Sequence, residues 1–338
     1  MTNLVCISHL RWDFVWQRPQ HLLTRFAQDY TVYFVEEPIA TPETATAYLE
    51  VFTAQNAPQI TIIRLRQLTA HAHWMGHGLP HVQPTYDVLL RAFFAEHNIT
   101  SPILWLYTPM AAAFVEALPH SLLIFDAMDQ LSAFLGAPPE LIAQEQRLLP
   151  QADLVFTGGV SLYEAKKPLN PNTHCFPSGV DVAHYAQAET QTLFPRPAEL
   201  DALNGPIMGF FGVIDERIDL ALLEAIAQAR PQWHIVMIGP VVKIDTANLP
   251  QQPNLHYLGG RDYKDLPRYL AYFDVALLPF AVNESTRYIS PTKTLEYMAA
   301  HKAIVSTPST MSSPFTGRSL ANRRNGGNVH RPCGGRAA

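Results

Sequence analysis

Short apolar runs alternate with segments of helical periodicity along the first half of the chain. Asn3–Ser8 is a mostly apolar run that predicts a strand, and Pro19 stands where a helix can begin, because proline is tolerated in the first helical turn. Runs rich in β-branched and aromatic residues predict further strands at Thr31–Val35, Ile60–Leu65, Ile103–Tyr107, Ser121–Asp126 and Asp153–Thr157. Helical segments separate several of these runs, and strands that alternate with helices indicate a doubly wound parallel sheet.

The same alternation starts again at Pro206–Gly212. The later apolar runs predict strands at His234–Ile238, Leu255–Tyr257, Val275–Leu278 and Ala303–Thr307, with helices at Asp219–Ala229, Tyr263–Tyr272 and Pro291–Ala300. Ala186–Asn204 contains prolines and lacks periodicity, which is typical of a linker. We therefore predict two α/β domains, residues 1–186 and 205–308, joined by a linker at 187–204. Ligands of such domain pairs usually bind in the cleft between them.

The last stretch of the chain, residues 309–338, has a different composition. It holds five arginines, five glycines and no acidic residue, and it shows no sustained apolar periodicity. This composition predicts a disordered tail, with a tail that binds a polyanion as the alternative.

Composition narrows the class of protein. Hydrophobic residues make up 48% of the 338 residues and charged residues 16%, which excludes a disordered chain and suits two domains. The net charge of -5 argues against a nucleic-acid partner held by a basic surface. No apolar stretch reaches the roughly 18–20 residues of a membrane span, and the first residues do not resemble a signal peptide. Three scattered cysteines, Cys6, Cys175 and Cys333, indicate reduced thiols, so we predict a cytoplasmic protein.

Several common catalytic motifs are absent from the sequence. No G-x-G-x-x-G follows the first predicted strand and no phosphate-binding G-x-x-x-x-G-K-[ST] occurs, which disfavours dinucleotide dehydrogenases and P-loop NTPases. The G-x-S-x-G motif of α/β-hydrolases is also missing. No D-x-D pair is present to bridge a metal to a diphosphate. His71, His73, His77 and His81 match no helical pair of metal ligands, and we predict no metal site there.

The segment from Ser290 onwards carries the clearest chemistry. Ser290 can cap a helix that begins at Pro291, and Lys293 and Glu296 are three positions apart, so they share one helix face. Free backbone N–H groups at a helix N-terminus attract phosphate, and Lys293 adds a full positive charge. Glu296, one turn further on, could accept hydrogen bonds from a ribose diol. The alternative is an ordinary surface helix with a weak Lys–Glu pair.

This segment resembles the donor-binding helix of the GT-B glycosyltransferases, in particular the GT4-like bacterial enzymes with S-P-x-K-x-x-E-Y-M-A. Other stretches resemble the same family in the same order, namely WQRPQHL (Trp16–Leu22), FDAMDQLSAF (Phe125–Phe134), ADLVFTGGVSLYEAKK (Ala152–Lys167), FPSGVDVAHY (Phe176–Tyr185) and GFFGVIDERIDLALL (Gly209–Leu223). The resemblance covers residues 1 to about 308. It implies two Rossmann-like domains and an enzyme that transfers a sugar from a nucleotide-diphosphate sugar.

Roles for residues of the second domain follow from the resemblance. Lys293, together with Ser290 and Thr292, is expected to hold the diphosphate, and Glu296 is expected to bind the ribose. Arg217 is a candidate second phosphate contact or an ordinary solvated arginine. Many GT4 enzymes carry a glutamate eight positions before the one that binds the ribose. Tyr288 occupies that position here, so a contact to the sugar is missing or comes from another residue such as Glu284.

Candidate acceptor-side residues follow the predicted strands of the first domain. Arg11, Trp12 and Asp13 come directly after the first strand, and Trp12 either stacks on the acceptor or packs at the rim. Arg18 either contacts a phosphate or fixes its loop. Asp126, and Asp129 after it, follow a later strand, where an acid could orient an acceptor hydroxyl and make Asp126 the candidate catalytic residue. His9 is a weaker candidate as a polar residue of the cleft, and Asp181 is a candidate turn residue. Lys166 and Lys167 either contact anionic lipid or belong to a solvated helix end.

The resemblance implies a glycosyltransferase that acts on a cell-surface glycan or lipid-linked acceptor, retains the anomeric configuration and needs no metal or other cofactor. The expected partners are the nucleotide sugar and the acceptor, without nucleic acid and with a peripheral membrane contact as an option. The alternative is a non-catalytic, glycosyltransferase-like binding or scaffold protein. It is suggested by the end of the resemblance at Ser306–Pro308, which predicts an incomplete second domain with an unpaired sheet edge.

Overall fold

The computed structural model describes residues 1–41, 46–67, 84–286, 289 and 292–308, with only the backbone at 114 and 284. The chain divides into two compact units, unit 1 (Met1–Pro177) and unit 2 (Ser178–Ala338). Each unit is built around one sheet.

Unit 1 contains an eight-stranded sheet. Its strands are β1 (Thr2–Ile7), β2 (Tyr30–Ala40), β3 (Tyr48–Ala54), β4 (Ala57–Gln67), β5 (Ile103–Leu106), β6 (Leu122–Ala127), β7 (Leu154–Thr157) and β8 (Thr173–Cys175). Its helices are α1 (Arg18–Phe26), α2 (Tyr86–Glu96), α3 (Ala112–Val115), α4 (Glu140–Gln151) and α5 (Val160–Lys166). The strand order is β3-β4-β2-β1-β5-β6-β7-β8, and only β3 pairs with its neighbour in the antiparallel sense.

The core of unit 1 lies on both faces of this sheet. Alternate residues of a strand point to opposite faces, so Val5 packs with the side chains of α2 and α4 while its neighbour Leu4 packs against Trp12 and Phe34 on the other face. A strand that is covered on both faces consists of consecutive apolar residues, which is the pattern of β1. This double covering confirms the predicted doubly wound sheet.

Unit 2 contains a five-stranded, fully parallel sheet. Its strands are β9 (Ile207–Phe211), β10 (His234–Ile238), β11 (Leu255–Gly259), β12 (Val275–Leu278) and β13 (Ala303–Ser306). Its helices are α6 (Val182–Ala186), α7 (Ala198–Asp201), α8 (Leu220–Ala229), α9 (Leu266–Leu270) and α10 (Thr292–Ala299). The order is β11-β10-β9-β12-β13, so the chain leaves the central strand β9 to one side and later returns to its other side. Ligands of open α/β sheets bind at the carboxyl ends of the strands at such a switch point.

The stretch between the two sheets packs on unit 2. Tyr185, Ala188 and Leu200 are buried in one cluster with residues of β9 and α10. The chain therefore divides at Pro177, before the predicted boundary at residue 186, because these apolar side chains belong to the unit 2 core. The predicted tail at 309–338 lies outside the described residues, and so does the predicted incompleteness of the second domain.

Two glycine turns follow the central strands of unit 2. Gly212 after β9 has φ 149° and Gly239 after β10 has φ 150°, a region that residues with a side chain rarely adopt. The turns also touch, because a Cβ on Gly239 would lie 1.8 Å from the Gly212 carbonyl oxygen. The Gly212 N–H donates to the Ile238 carbonyl at 2.8 Å. The two turns therefore pack backbone against backbone at the carboxyl ends of β9 and β10, an approach that a side chain at Gly239 would prevent.

Candidate functional site

Lys293 lies across the glycine turn at the carboxyl end of β9. Its Cε would be 3.3 Å from a Cβ on Gly212, and its Nζ stands 5.3 Å from the centre of the Phe211 ring. Nζ is also 3.0 Å from Oε2 of Glu296, so the two side chains share a helix face as their spacing predicted. One quarter of the Lys293 side chain is exposed. This arrangement places a cation beside a side-chain-free strand end.

Glu296 is almost fully enclosed. It is 5% exposed, and its Oε2 lies 3.0 Å from Lys293 Nζ. A buried carboxylate is unfavourable unless a cation or hydrogen-bond donors compensate its charge, and Lys293 provides that cation. Glu296 is therefore a buried hydrogen-bond acceptor held next to a cation.

Arg217 forms an ion pair with Asp215, a residue that the sequence analysis did not identify. Its Nε donates to both Asp215 oxygens at 2.9 and 3.1 Å, and its Nη2 donates to Oδ2 at 2.6 Å. Asp215 is 3% exposed. The Arg217 carbonyl accepts from Ala281 N–H at 2.8 Å, which ties the loop after β9 to the loop after β12. Arg217 is thus a fixed cation and differs from the solvated arginine that was the alternative.

The structure describes the other predicted donor-site residues only in part. Ser290 and Tyr288 lie outside the described residues, and only the backbone of Glu284 is described. Thr292 is the first residue of α10 and is half-buried. The structure therefore brings together Lys293 and Glu296 of the predicted donor set, with Arg217 on the loop that leaves the same strand.

Asp126 forms a buried ion pair in unit 1. It lies on β6 with no exposed surface, and its Oδ2 accepts from Arg18 Nε at 3.0 Å and from Trp105 Nε1 at 3.3 Å. Arg18 also donates to the Phe176 carbonyl at 2.7 Å. Burial works against the charge of Arg18, but Asp126 and Tyr107 outweigh it, so the pKa of Arg18 is raised. Asp126 therefore orients Arg18 and presents no surface to an acceptor hydroxyl.

Trp12 packs in the core and is not open for stacking. It is 1% exposed, its indole Nε1 donates to Asn56 Oδ1 at 2.7 Å, and its ring meets Phe34 edge-on at 5.1 Å. The structure thus favours the packing alternative over stacking on an acceptor. The Arg11 guanidinium donates to the backbone carbonyls of Glu37 at 2.8 Å and Pro38 at 3.0 Å, and so holds the end of β2 in place.

Two glutamates near the carboxyl end of β2 were missed by the sequence analysis. Glu36 is fully buried and accepts from Arg64 Nε at 2.6 Å and from the Trp12 N–H at 2.7 Å. Glu37 is half-buried, and burial raises its pKa to about 7, helped by Glu36 and opposed by Arg11. The pKa of exposed Asp13 is also raised, first by partial burial and then by Glu36. The signal in the sequence was a pair of acids next to a strand, but the predicted strand ended at Val35.

Glu37→Gln is expected to change how stability depends on pH. The folded pKa near 7 exceeds the ordinary value of 4.5, so the folded state binds more protons between these values. The contribution of Glu37 to the free energy of unfolding is greatest below about pH 4.5, decreases as the pH rises towards 7 and stays low above pH 7. The variant should be about 2 kcal/mol more stable than wild type at pH 8 and nearly equal at pH 4.5.

Thermal unfolding at both pH values measures this difference. Exposed Glu96→Gln is the matched control, and it should move both midpoints little. A Glu37→Gln variant that loses stability at pH 8 would contradict the assignment of a buried, poorly solvated carboxylate.

Weaker candidates of unit 1 have structural roles. Lys166 is 3% exposed and donates to Glu145 Oε1 at 2.5 Å, so both the lipid contact and the solvated helix end are wrong for it. Lys167 is exposed and lies 4.9 Å from the centre of the Tyr163 ring. The ring of His9 contacts the Tyr107 carbonyl at 3.1 Å.

In unit 2, Asp181 caps α6 by accepting from the His184 N–H at 3.1 Å. The four histidines at His71, His73, His77 and His81 lie outside the described residues. Within the described ranges, no group of three or more His, Cys, Asp or Glu side chains is arranged to hold a metal ion. No helix in those ranges has the length and apolar character to span a bilayer.

Comparison with known proteins shows what the residues around this site resemble. Residues 205–321 match the family Glycosyl transferases group 1. The "Putative teichuronic acid biosynthesis glycosyltransferase TuaH" of Bacillus subtilis (strain 168) is 25% identical over 212 residues, which cover 57% of this chain and 53% of TuaH. The chain thus spans about half the length of the curated relative that it matches.

Solved structures share the fold of most of the chain. The sucrose-phosphate synthase of Thermosynechococcus elongatus superposes with a TM-score of 0.61 at 13% identity, covering 90% of this chain and 81% of that one. Anabaena Alr3699/HepE in complex with UDP and glucose gives 0.57 at 16% identity, covering 89% and 80%. An Escherichia coli structure described as trehalose-6-phosphate bound with UDP-2-fluoro glucose gives 0.58 at 15% identity, covering 90% and 84%.

These likenesses agree with the motifs that suggested the family. The matched residues 205–321 include Lys293, Glu296 and Arg217, and the structural likeness extends over both sheets. The GT-B fold that the resemblance implied is therefore confirmed, and residues 205–321 match the glycosyltransferase family that the motifs suggested.

Proposed function

We propose that this protein is a glycosyltransferase of the hexosyltransferase type, which transfers a sugar from a nucleotide-diphosphate sugar to a cell-surface glycan or lipid-linked acceptor. The observation that carries the proposal is the pairing of Lys293 with the nearly buried Glu296 beside the glycine turn at Gly212, within the residues that match the family. Lys293 is a cation that can bind phosphate, and Glu296 next to it can accept hydrogen bonds from hydroxyl groups. Binding of a nucleoside diphosphate needs both kinds of group.

The donor would lie along α10 with its diphosphate at the helix N-terminus. The first N–H groups of a helix have no partner within the helix, so the backbone from Thr292 onwards can donate to phosphate oxygens. Lys293 would turn from Glu296 to the diphosphate, and Glu296 would accept from the ribose hydroxyls. Complexes of the structural neighbours with UDP or a UDP-sugar support a nucleotide as the ligand class.

In the reaction, the bond between the anomeric carbon and the diphosphate breaks and negative charge develops on the leaving oxygen. Lys293, the fixed guanidinium of Arg217 and the α10 amides would stabilise that charge. These groups replace a bridging metal in our proposal, and transfer proceeds with retention of the anomeric configuration. Neither property follows from the fold.

We place acceptor recognition on unit 1. Arg11, Asp13 and Arg18 lie at or beyond the carboxyl ends of strands, where polar side chains of α/β sheets meet their ligands. Arg18 is held by Asp126 with 15% of its side chain exposed, which suits a contact to an anionic group of the acceptor. The relation to TuaH makes a cell-surface polysaccharide the first acceptor to test. Such an enzyme would work in the cytoplasm, free or at the inner face of the membrane.

Purified protein incubated with UDP- and GDP-sugars and a lipid-linked glycan acceptor tests this proposal. We expect release of the nucleoside diphosphate that depends on the acceptor and persists in excess EDTA. NMR of the product should show the anomeric configuration of the donor. Loss of turnover in EDTA would disprove metal independence, and inversion would disprove retention. Binding without any turnover would support the alternative of a non-catalytic protein.

A further inference from the structure

Tyr185 brings a buried hydroxyl to the unit 2 site. It lies on α6, outside every predicted site element, and is 1% exposed. Its ring stacks on Phe211 with centroids 5.9 Å apart and an interplanar angle of 5°, and it meets Tyr263 edge-on at 5.8 Å. The ring is thus fixed from two sides, which determines where the hydroxyl points.

The hydroxyl of Tyr185 is enclosed by protein, and a buried hydroxyl is normally paired with a hydrogen-bonding group. Glu296 is the charged residue that acts on it: after burial, the carboxylate charge of Glu296 contributes most to raising the pKa of Tyr185, and a side-chain hydrogen bond between the two residues raises it further. The hydroxyl therefore keeps its proton at physiological pH and remains a donor.

Tyr185 and Glu296 complement each other as donor and acceptor. Oε2 of Glu296 is enclosed and stands 3.0 Å from Lys293 Nζ. A phenolic hydroxyl can donate its proton and a carboxylate can only accept, so Tyr185 can keep its hydrogen bond to Glu296 when Lys293 turns to a diphosphate.

We propose that Tyr185 is a positioning residue of the donor site, whose hydroxyl donates to Oε2 of Glu296 and so directs the other carboxylate oxygen to the ribose diol of a nucleoside diphosphate. This inference rests on the proposed donor function. It makes Tyr185 a determinant of selectivity for ribonucleotides over deoxyribonucleotides.

Ribose discrimination in nucleotide binding tests the role of Tyr185. Wild type should bind UDP or GDP, whichever it prefers, about tenfold more tightly than the 2′-deoxy form, because a hydrogen bond to a charged acceptor is lost. Tyr185→Phe should reduce this ratio to about threefold or less. Tyr269→Phe is the matched control, since its buried hydroxyl bonds Arg261 and Glu199 and not Glu296. A Tyr185→Phe protein with the wild-type ratio would overturn the inference.

A double-mutant cycle without ligand tests the contact itself. Tyr185→Phe, Glu296→Gln and the double variant are compared by thermal unfolding. We expect the midpoint shifts to deviate from additivity by about 2–4 °C, as contacting pairs do. Additive shifts would overturn the contact whatever the nucleotide data show. If the shifts are coupled but wild type binds no nucleotide, the proposed donor function fails, and the selectivity role of Tyr185 fails with it.

Discussion

Lys293→Ala is expected to lower sugar transfer by about 100- to 1,000-fold, the usual effect of removing one group that stabilises developing negative charge. The lysine stem crosses the Gly212 turn, and its ammonium group stands 5.3 Å from the centre of the Phe211 ring at the end of β9. Its partner Glu296 cannot take over, because it carries the opposite charge. The loss should appear mainly in turnover, measured as acceptor-dependent release of nucleoside diphosphate.

Lys264→Ala is the matched control for this experiment. Its side chain is 78% exposed and pairs only with the equally exposed Asp262 at 3.6 Å, so we expect turnover near wild type. The melting temperature of Lys293→Ala should fall, because the nearly buried Glu296 carboxylate loses its cation, so turnover is compared at a temperature at which both proteins are folded. Turnover of Lys293→Ala within about threefold of wild type would contradict the assignment of leaving-group stabilisation to this residue.

Asp126→Ala is expected to destabilise the protein by about 3–5 kcal/mol, because it breaks a buried ion pair and leaves one charge without its partner. Asp126 has no exposed side-chain surface and Arg18 has 15%. The substitution removes the acceptor of both Arg18 Nε and Trp105 Nε1. Urea unfolding with intrinsic tryptophan fluorescence measures the loss. Asp126→Asn should lose less, because its amide oxygen can still accept.

The matched control for the ion pair is Asp262→Ala, whose side chain is 75% exposed and which should change stability little. An Asp126→Ala protein within about 1 kcal/mol of wild type would contradict the buried pair. The double variant Arg18→Met/Asp126→Leu separates stability from function. Apolar replacement of both partners should recover stability, whereas transfer should remain impaired if Arg18 contacts the acceptor.

The sequence predicted most of the fold because its signals are local. The apolar runs of β1, β5, β7, β10 and β12 are short and bounded by turns, and the structure places strands there. The strands β3 and β8 were missed. Strand β3 pairs antiparallel with β4 through a short connection at Gln55 and Asn56, and half of its side chains are solvated, so its pattern is weaker than that of a buried strand. The chain divides at Pro177 and not at residue 186, because α6, which the sequence analysis assigned to the end of the first domain, packs on the unit 2 core.

Contacts between site residues could be predicted where the two residues lie close together in the sequence. Lys293 and Glu296 meet because helical geometry fixes residues three positions apart. The sequence left Trp12 open between stacking and packing, and it did not predict the burial of Lys166, because both depend on partners far along the chain, Asn56 and Glu145. The sequence analysis missed Tyr185 for the same reason, because its neighbour Glu296 is more than a hundred positions away in the sequence. Burial and pairing across such distances are properties of the folded chain.

Isothermal titration with UDP and GDP tests the central claim most directly, namely that unit 2 holds a nucleotide-sugar donor through α10. Wild type should bind one of the two nucleotides, and the Lys293→Ala/Glu296→Ala double variant should bind it at least about 100-fold more weakly while remaining folded. A folded wild type that binds neither nucleotide, or a double variant that binds as tightly as wild type, would contradict the account.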